Sequence, residues 1–296
     1  MKKLLIGLIA VVFAFPVYAA DMDVYGRLNY MITNSDDSSG NPILKAENNG
    51  SRIGIDFSET LSEGAVGIIG FAKLEVGIDT DDSGSDTFDS RLAYAGVDLG
   101  TLGSVSGGRQ SHPNSGVGKT GIFNALGSNA VFYYADRSSN SLKYSNSVGA
   151  LSSDVMVIVD GSTGTDGVDV MDVSGSVDIG PLSLAAGYAD DVVNSIKYTV
   201  VSGGMDVQGI SLNGTYSLKD TTTDLTGYEA TASYPLDDTT LAVGYGDKES
   251  TATYITVGAS YSLSGSVTSY AEYQMTDNTG STTDTDQMAL GLKYTF

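Results

Sequence analysis

Four arginines, one histidine and a run of aspartates are the residues of this chain whose types and spacing could do chemistry. His112 is the only histidine in 296 residues, so a Ser-His-acid relay would have to be built on it. Its neighbour Ser111 points elsewhere in any extended or loop geometry, and a relay would need a distant serine and acid to converge on a loop. Gly107-Gly-Arg109 is no phosphate loop, since no helix follows it. The segment Asp79-Thr-Asp81-Asp-Ser83-Gly84-Ser85 imitates the first half of a calcium loop. Its position twelve, however, is Ser90, where a bidentate glutamate is required. With no Cys, neither a disulfide nor a thiolate metal site exists. These residues indicate no enzyme, no metal site and no cofactor. The charges that remain, Arg27, Arg52, Arg91, Arg109, Lys73 and Lys143, must be explained by the elements that carry them.

Those elements read as strands from end to end. In the last residues Met288, Leu290, Leu292, Tyr294 and Phe296 fall on one face, while Gln287, Lys293 and Thr295 fall on the other. That is the pattern of a membrane-depth strand, apolar towards lipid and polar within. Ile53, Ile55 and Phe57 oppose Arg52 and Asp56; Leu74, Val76 and Ile78 oppose Lys73, Glu75 and Asp79; Val267, Ala271, Tyr273 and Met275 oppose Thr268, Glu272, Gln274 and Thr276. A soluble sandwich also alternates, so the discriminating feature is the charge on the inner face, which belongs in water. Parity places Arg27, Arg52, Arg91, Lys73 and Lys143 on that wet face. Arg109 shares parity with Val105 and faces inward only if a bulge or strand end intervenes.

The amino terminus agrees with a membrane destination. Lys2 and Lys3 precede an apolar run from Leu4 to Phe15, too short to span a bilayer, and Val17-Tyr-Ala19 supplies a signal-peptidase pattern. Residues 1–19 are read as a signal peptide and residues 20–296 as one domain. After it no apolar stretch approaches transmembrane-helix length, so only a closed barrel can pair every backbone group in lipid. The strand starts fall near residues 23, 50, 64, 87, 102, 140, 152, 168, 181, 193, 205, 224, 239, 252, 265 and 286. Connections alternate between tight ones, such as Leu99–Leu102, Ile179–Pro181 and Ser202–Gly204, and long polar ones, such as Asn34–Asn49, Thr80–Asp86 and Ser111–Ser139. The expected fold is all-β: a transmembrane antiparallel barrel of about 16 strands, each allotted roughly ten spanning residues and a modest loop.

Read in order, several pieces resemble the general bacterial porins. They are Val24-Tyr-Gly-Arg27, Gly50-Ser-Arg52-Ile-Gly54, Phe88-Asp-Ser-Arg91-Leu-Ala-Tyr94, Gly107-Gly-Arg109-Gln110, Asn140-Ser-Leu-Lys-Tyr144 and Leu290-Gly-Leu-Lys-Tyr-Thr-Phe296. The resemblance covers essentially the whole mature chain. It implies a sixteen-stranded barrel in the outer membrane, usually a homotrimer, that passes small hydrophilic solutes down their gradients. It also implies contact with outer-membrane lipid and lipopolysaccharide, and insertion by the barrel assembly machinery acting on the terminal aromatic Phe296. No nucleic-acid partner is implied.

A barrel this wide leaves an aqueous channel unless something narrows it. The connection 111–139 is the longest in the chain, and with Ile122, Phe123, Leu126, Val131, Phe132, Tyr133 and Tyr134 it is too apolar for a freely solvated tail. The resemblance implies that this third loop folds inward as the constriction, with Arg27, Arg52, Arg91 and Arg109 as a basic ladder facing it. One departure stands out. The loop carries a single acid, Asp136, beside Lys119, Arg137 and His112, where the family has several acids. Net charge is −21 over the full chain and more negative once Lys2 and Lys3 are removed, with much of the acid in loops. The expectation is weak cation preference from the potential at the mouths, and loose divalent-cation bridging to lipopolysaccharide. A sugar-specific channel would need a track of lumenal aromatics, whereas Tyr25, Phe71 and Tyr270 lie on distant strands. A soluble exported adhesin is the remaining alternative.

Overall fold

The structure is a computed structural model, and it describes residues 21–36, 41–62, 67–81, 87–127, 130–161, 167–279 and 285–296. Residues 1–20, where the expected signal peptide lies, are outside the described residues. The first half of the chain forms β1 (Asp21–Asp36), β2 (Pro42–Asn48), β3 (Arg52–Ser62), β4 (Ile68–Ile78), β5 (Phe88–Asp98), β6 (Ser104–Ser111), β7 (Arg137–Val148) and β8 (Leu151–Ile158). The second half forms β9 (Val170–Ile179), β10 (Leu182–Asp191), β11 (Ile196–Val207), β12 (Ile210–Asp220) and β13 (Leu225–Leu236). It ends with β14 (Thr239–Lys248), β15 (Ala252–Ser262), β16 (Val267–Asn278) and β17 (Thr285–Thr295).

Every neighbouring pair is antiparallel, and the sheet closes because β1 pairs with β17 as well as with β2 and β3. β3 covers residues 21–27 of β1 and β2 covers residues 30–36, so the two act as one interrupted wall strand. Seventeen segments therefore make a sixteen-stranded barrel. The expected loop 34–49 is in part this extension of the wall above the break at Gly50, whose φ of 69° needs a glycine. At the seam, Gly26 N–H donates to Phe296 O (2.9 Å) and Phe296 N–H to Gly26 O (3.1 Å), so the last residue completes the ring.

The barrel is inside out relative to a soluble domain. Leu290, Leu292, Val257 and Leu28 are 47%, 51%, 44% and 48% exposed, while Thr256, Ser217, Asn29 and Glu272 are buried. Apolar side chains on alternate positions thus form an outer coat, which in water would have no partner and in lipid needs none. Among the described residues, dry packing forms two small clusters, Val117–Ala185–Val200 and Met156–Ile158–Val170, against Val131 and Tyr134 of the long connection.

One expected turn is displaced. Ser202–Gly204 lies within β11, and the reversal comes at Gln208 and Gly209, both at positive φ (52° and 84°). Two consecutive left-handed residues make the tight turn whose twist matches a hairpin. The glycines at 203 and 204 instead sit in the ladder against Gly214 and Asn213. The inward aromatics also have a local use. Tyr25, Phe71 and Tyr270 each lie over the glycine registered directly opposite, Gly54, Gly96 and Gly291, and do not form a track.

Candidate functional site

Inside the barrel, β1, β3, β4 and β5 bring basic side chains to a single acid. Glu75 is 5% exposed; Arg91 Nε donates to its Oε1 at 2.5 Å, Tyr25 hydroxyl donates to Oε2 at 3.0 Å, and Arg52 Nε stands 3.4 Å from Oε2. Arg27 Nε donates to Gly50 O at 2.9 Å on the same side. Arg91 reaches this position because it is the extra residue of a bulge between β4 and β5, where Glu75 faces Leu92 and Val76 faces Ser90. Lys73 pairs with Asp56 at 3.0 Å and lies 4.6 Å from the Tyr25 ring centroid; Lys143 stands 3.6 Å from Asp154 on β7 and β8. The wall therefore carries three guanidinium groups against one buried carboxylate.

Arg109 departs from the basic ladder. It registers opposite Ala93, which is on the outward face with Leu74, and its Nε donates to Ser90 O at 3.2 Å. Bulges occur beside it, on β5 and β7, but β6 itself keeps its alternation, so the condition for an inward Arg109 is not met. Arg137 takes a place the sequence reading did not give it. It helps line a pocket with Ser51, Gly77, Asp89 and Arg91, and its buried Nε has no hydrogen-bond partner. Its signal was the position at the end of the long connection, opposite Ser111.

The connection between β6 and β7 is held against the inner face of the opposite wall. His112 N–H donates to Asp136 O at 3.0 Å and closes its neck. From there the chain follows the barrel round. Val117 O accepts from Ser202 Oγ, and Lys119 N–H donates to Thr215 Oγ1 at 3.2 Å. Glu272 then accepts three successive backbone N–H groups, from Asn124 (2.5 Å), Ala125 (2.9 Å) and Leu126 (2.7 Å). Lys293 Nζ donates to Asn124 Oδ1 at 2.7 Å. On the return, Ala130 N–H donates to Glu229 Oε1 (2.9 Å), which also accepts from Tyr254, while Thr120 donates to the other oxygen; Phe132 N–H donates to Ser217 Oγ (2.8 Å). Burial, reinforced by nearby Asp191, pushes the Tyr134 phenol above its ordinary value.

Glycines make this docking possible. A side chain on Gly227 would lie 1.9 Å from Ala130 O, and side chains on Gly244 and Gly258 would meet the Phe123 ring at 2.8 and 3.2 Å. The inner-wall acids Glu229 and Glu272, both 4% exposed, are thus spent on anchoring backbone. Asp136 is exposed, and half-buried Lys119 lies by Gly204 on the anchored side, away from the arginine wall. Of the residues expected at the site, Arg27, Arg52 and Arg91 are brought together. Lys73 and Lys143 form separate pairs, while Lys119, Asp136 and Arg109 lie elsewhere. Sequence alternation had put Glu272 on the inner face, but its anchoring role depends on a partner about 150 residues away in the chain and has no local signature. For the calcium-like segment, Asp81 Oδ2 accepts Asn48 N–H at 2.8 Å, and residues 82–86 lie outside the described residues.

Comparison with known proteins extends this picture. The family description of Gram-negative porins matches residues 7–281. No curated protein sequence matches the chain. Among solved structures, an anion-selective porin from Comamonas acidovorans superposes with a TM-score of 0.76 at 18% identity, covering 94% of this chain and 100% of its own. OmpT of Vibrio cholerae in its trimer form gives 0.74 at 18% identity, with 94% and 100% covered. OmpF of Salmonella typhi gives 0.72 at 18% identity, with 95% and 99% covered.

Proposed function

Because the chain belongs to the Gram-negative porin family, we propose that its outer-membrane barrel is narrowed by residues 111–139, and that solutes are sorted between this segment and the arginines of the facing wall. It is a channel for passive diffusion of small hydrophilic solutes. The observation that carries the narrowing is the hydrogen bonding of Asn124, Ala125 and Leu126 to Glu272, on a strand far from the loop's own. A solute at that level has Arg27, Arg52 and Arg91 on one side and the loop on the other. The acids Glu229 and Glu272 lie behind the loop, so their charge acts across the passage without touching the solute.

Overall selectivity is set by the acidic mouths and is weakly cationic; the arginines oppose it locally. Reversal potentials under a salt gradient test this, with anion preference rejecting it. The channel reading needs no chemical step. Residues 1–19 act as the cleaved leader and residues 20–296 as the barrel. Phe296, paired to Gly26 at the seam, is the residue the assembly machinery reads. Lipopolysaccharide, bridged by divalent cations to the acidic loops, surrounds the outer rim. The trimer form of the Vibrio cholerae relative supports a homotrimer. Non-specific diffusion is favoured over a sugar-specific channel because Tyr25, Phe71 and Tyr270 are committed to covering glycines. Swelling of liposomes in sugars of increasing size tests the narrowing: wild-type protein excludes large sugars that a loop-released variant admits.

A further inference from the structure

At the neck of the constriction loop, three residues from separate parts of the chain form a linear relay. Ser138 of β7 and His112 Nε2 are 2.8 Å apart, and His112 Nδ1 and Asp172 Oδ2 of β9 are 2.7 Å apart. Asn114 N–H donates to the other Asp172 oxygen at 2.9 Å, and Tyr134 packs edge-on to the imidazole with centroids 4.9 Å apart. The His112 and Asp172 side chains are 0% and 1% exposed, while Ser138 is only partly covered. A carboxylate can only accept, so it fixes the proton on Nδ1 and leaves the Nε2 lone pair for the serine hydroxyl. That is the arrangement that activates a serine for acyl transfer.

We propose that Ser138 is a nucleophile that small carboxylic esters acylate after entering the channel, with His112 as its base and Asp172 as a positioning residue. Ser138 Oγ attacks the ester carbonyl carbon and its proton moves to His112 Nε2. The bond from that carbon to the leaving oxygen breaks, the phenoxide of an activated ester leaves into the lumen as the anion, and the proton stays on the sealed His112 imidazole beside the Asp172 carboxylate. The new Oγ–C bond persists, because deacylation needs a water at Nε2 and the imidazole is sealed. The site is therefore one of single modification and not of turnover.

The test uses the mature chain, folded in detergent, with p-nitrophenyl acetate. The expected result is a burst of one equivalent of p-nitrophenol per chain and an acetyl group mapped to Ser138. Ser138→Ala abolishes the burst. His112→Gln keeps the hydroxyl but slows acetylation by about 100-fold, the scale of a general base. Asp172→Asn lowers the maximal rate and leaves the half-saturating ester concentration unchanged. Folding of each variant is read from heat-modifiable migration. No burst from folded wild-type protein overturns the proposal, as does acetyl found on another residue or a His112→Gln variant that reacts as fast as wild type.

Discussion

At Glu75 one carboxylate holds two guanidinium groups and a tyrosine hydroxyl, and its removal affects both packing and permeation. Breaking the set leaves Arg52 and Arg91 facing each other with Arg27 close by. Glu75→Gln is expected to shift the reversal potential towards anions and to lower barrel stability by about 1.5–3 kcal/mol, the range for a hydrogen bond to a charged group. Arg52→Ala or Arg91→Ala shifts selectivity the other way, towards cations, and planar-bilayer reversal potentials decide both signs. Arg109→Ala leaves selectivity nearly unchanged, because its backbone register places it outside the lumen. An equal shift from Arg109→Ala and Arg91→Ala would contradict the assigned register.

The long connection and the wall it docks on form the next unit. Glu272→Gln keeps one acceptor oxygen but loses the charge that gathers three N–H donors, weakening the anchor by about 1.5–3 kcal/mol. The expected result is higher single-channel conductance with more flicker, and faster liposome swelling with larger sugars. Gly227→Ala reaches the same outcome sterically, by driving its new methyl into Ala130 O. On the lipid side, Val257→Arg at mid-strand costs about 2–4 kcal/mol in urea unfolding, the depth-dependent cost of a charge facing lipid. Much of this unit was legible in the sequence. The period-two pattern of β15, β16 and β17 needs only local residues, and polarity marks which face is wet. The turn after β11 was misplaced because Gly203-Gly204 has the composition of a turn while its residues sit in a ladder. The anchors Glu229 and Glu272, and the meeting of His112 with Ser138 and Asp172, were beyond reach: each depends on distances set by closure of the ring. Parity alone made Arg109 conditional, and the structure resolves the condition against the basic ladder.

For the whole molecule, closure at Gly26 and Phe296 is what turns sixteen strands into a sealed wall. The seam leaves no free edge in lipid, and its loss exposes unpaired backbone where no water can satisfy it. Deleting Phe296 is expected to lower the yield of heat-modifiable barrel while leaving export intact, measured by fractionation. The outer coat of half-exposed Leu, Val, Ile and Tyr requires lipid or detergent, and the buried polar lining requires water. A conducting lumen follows from those two conditions together. Conductance of purified mature protein in a planar bilayer reads this most directly. The account predicts discrete, long-lived steps that grow in proportion to bulk salt conductivity and close in groups of three. A preparation shown by heat-modifiable migration to be folded, yet giving no steps in the bilayer, would contradict it.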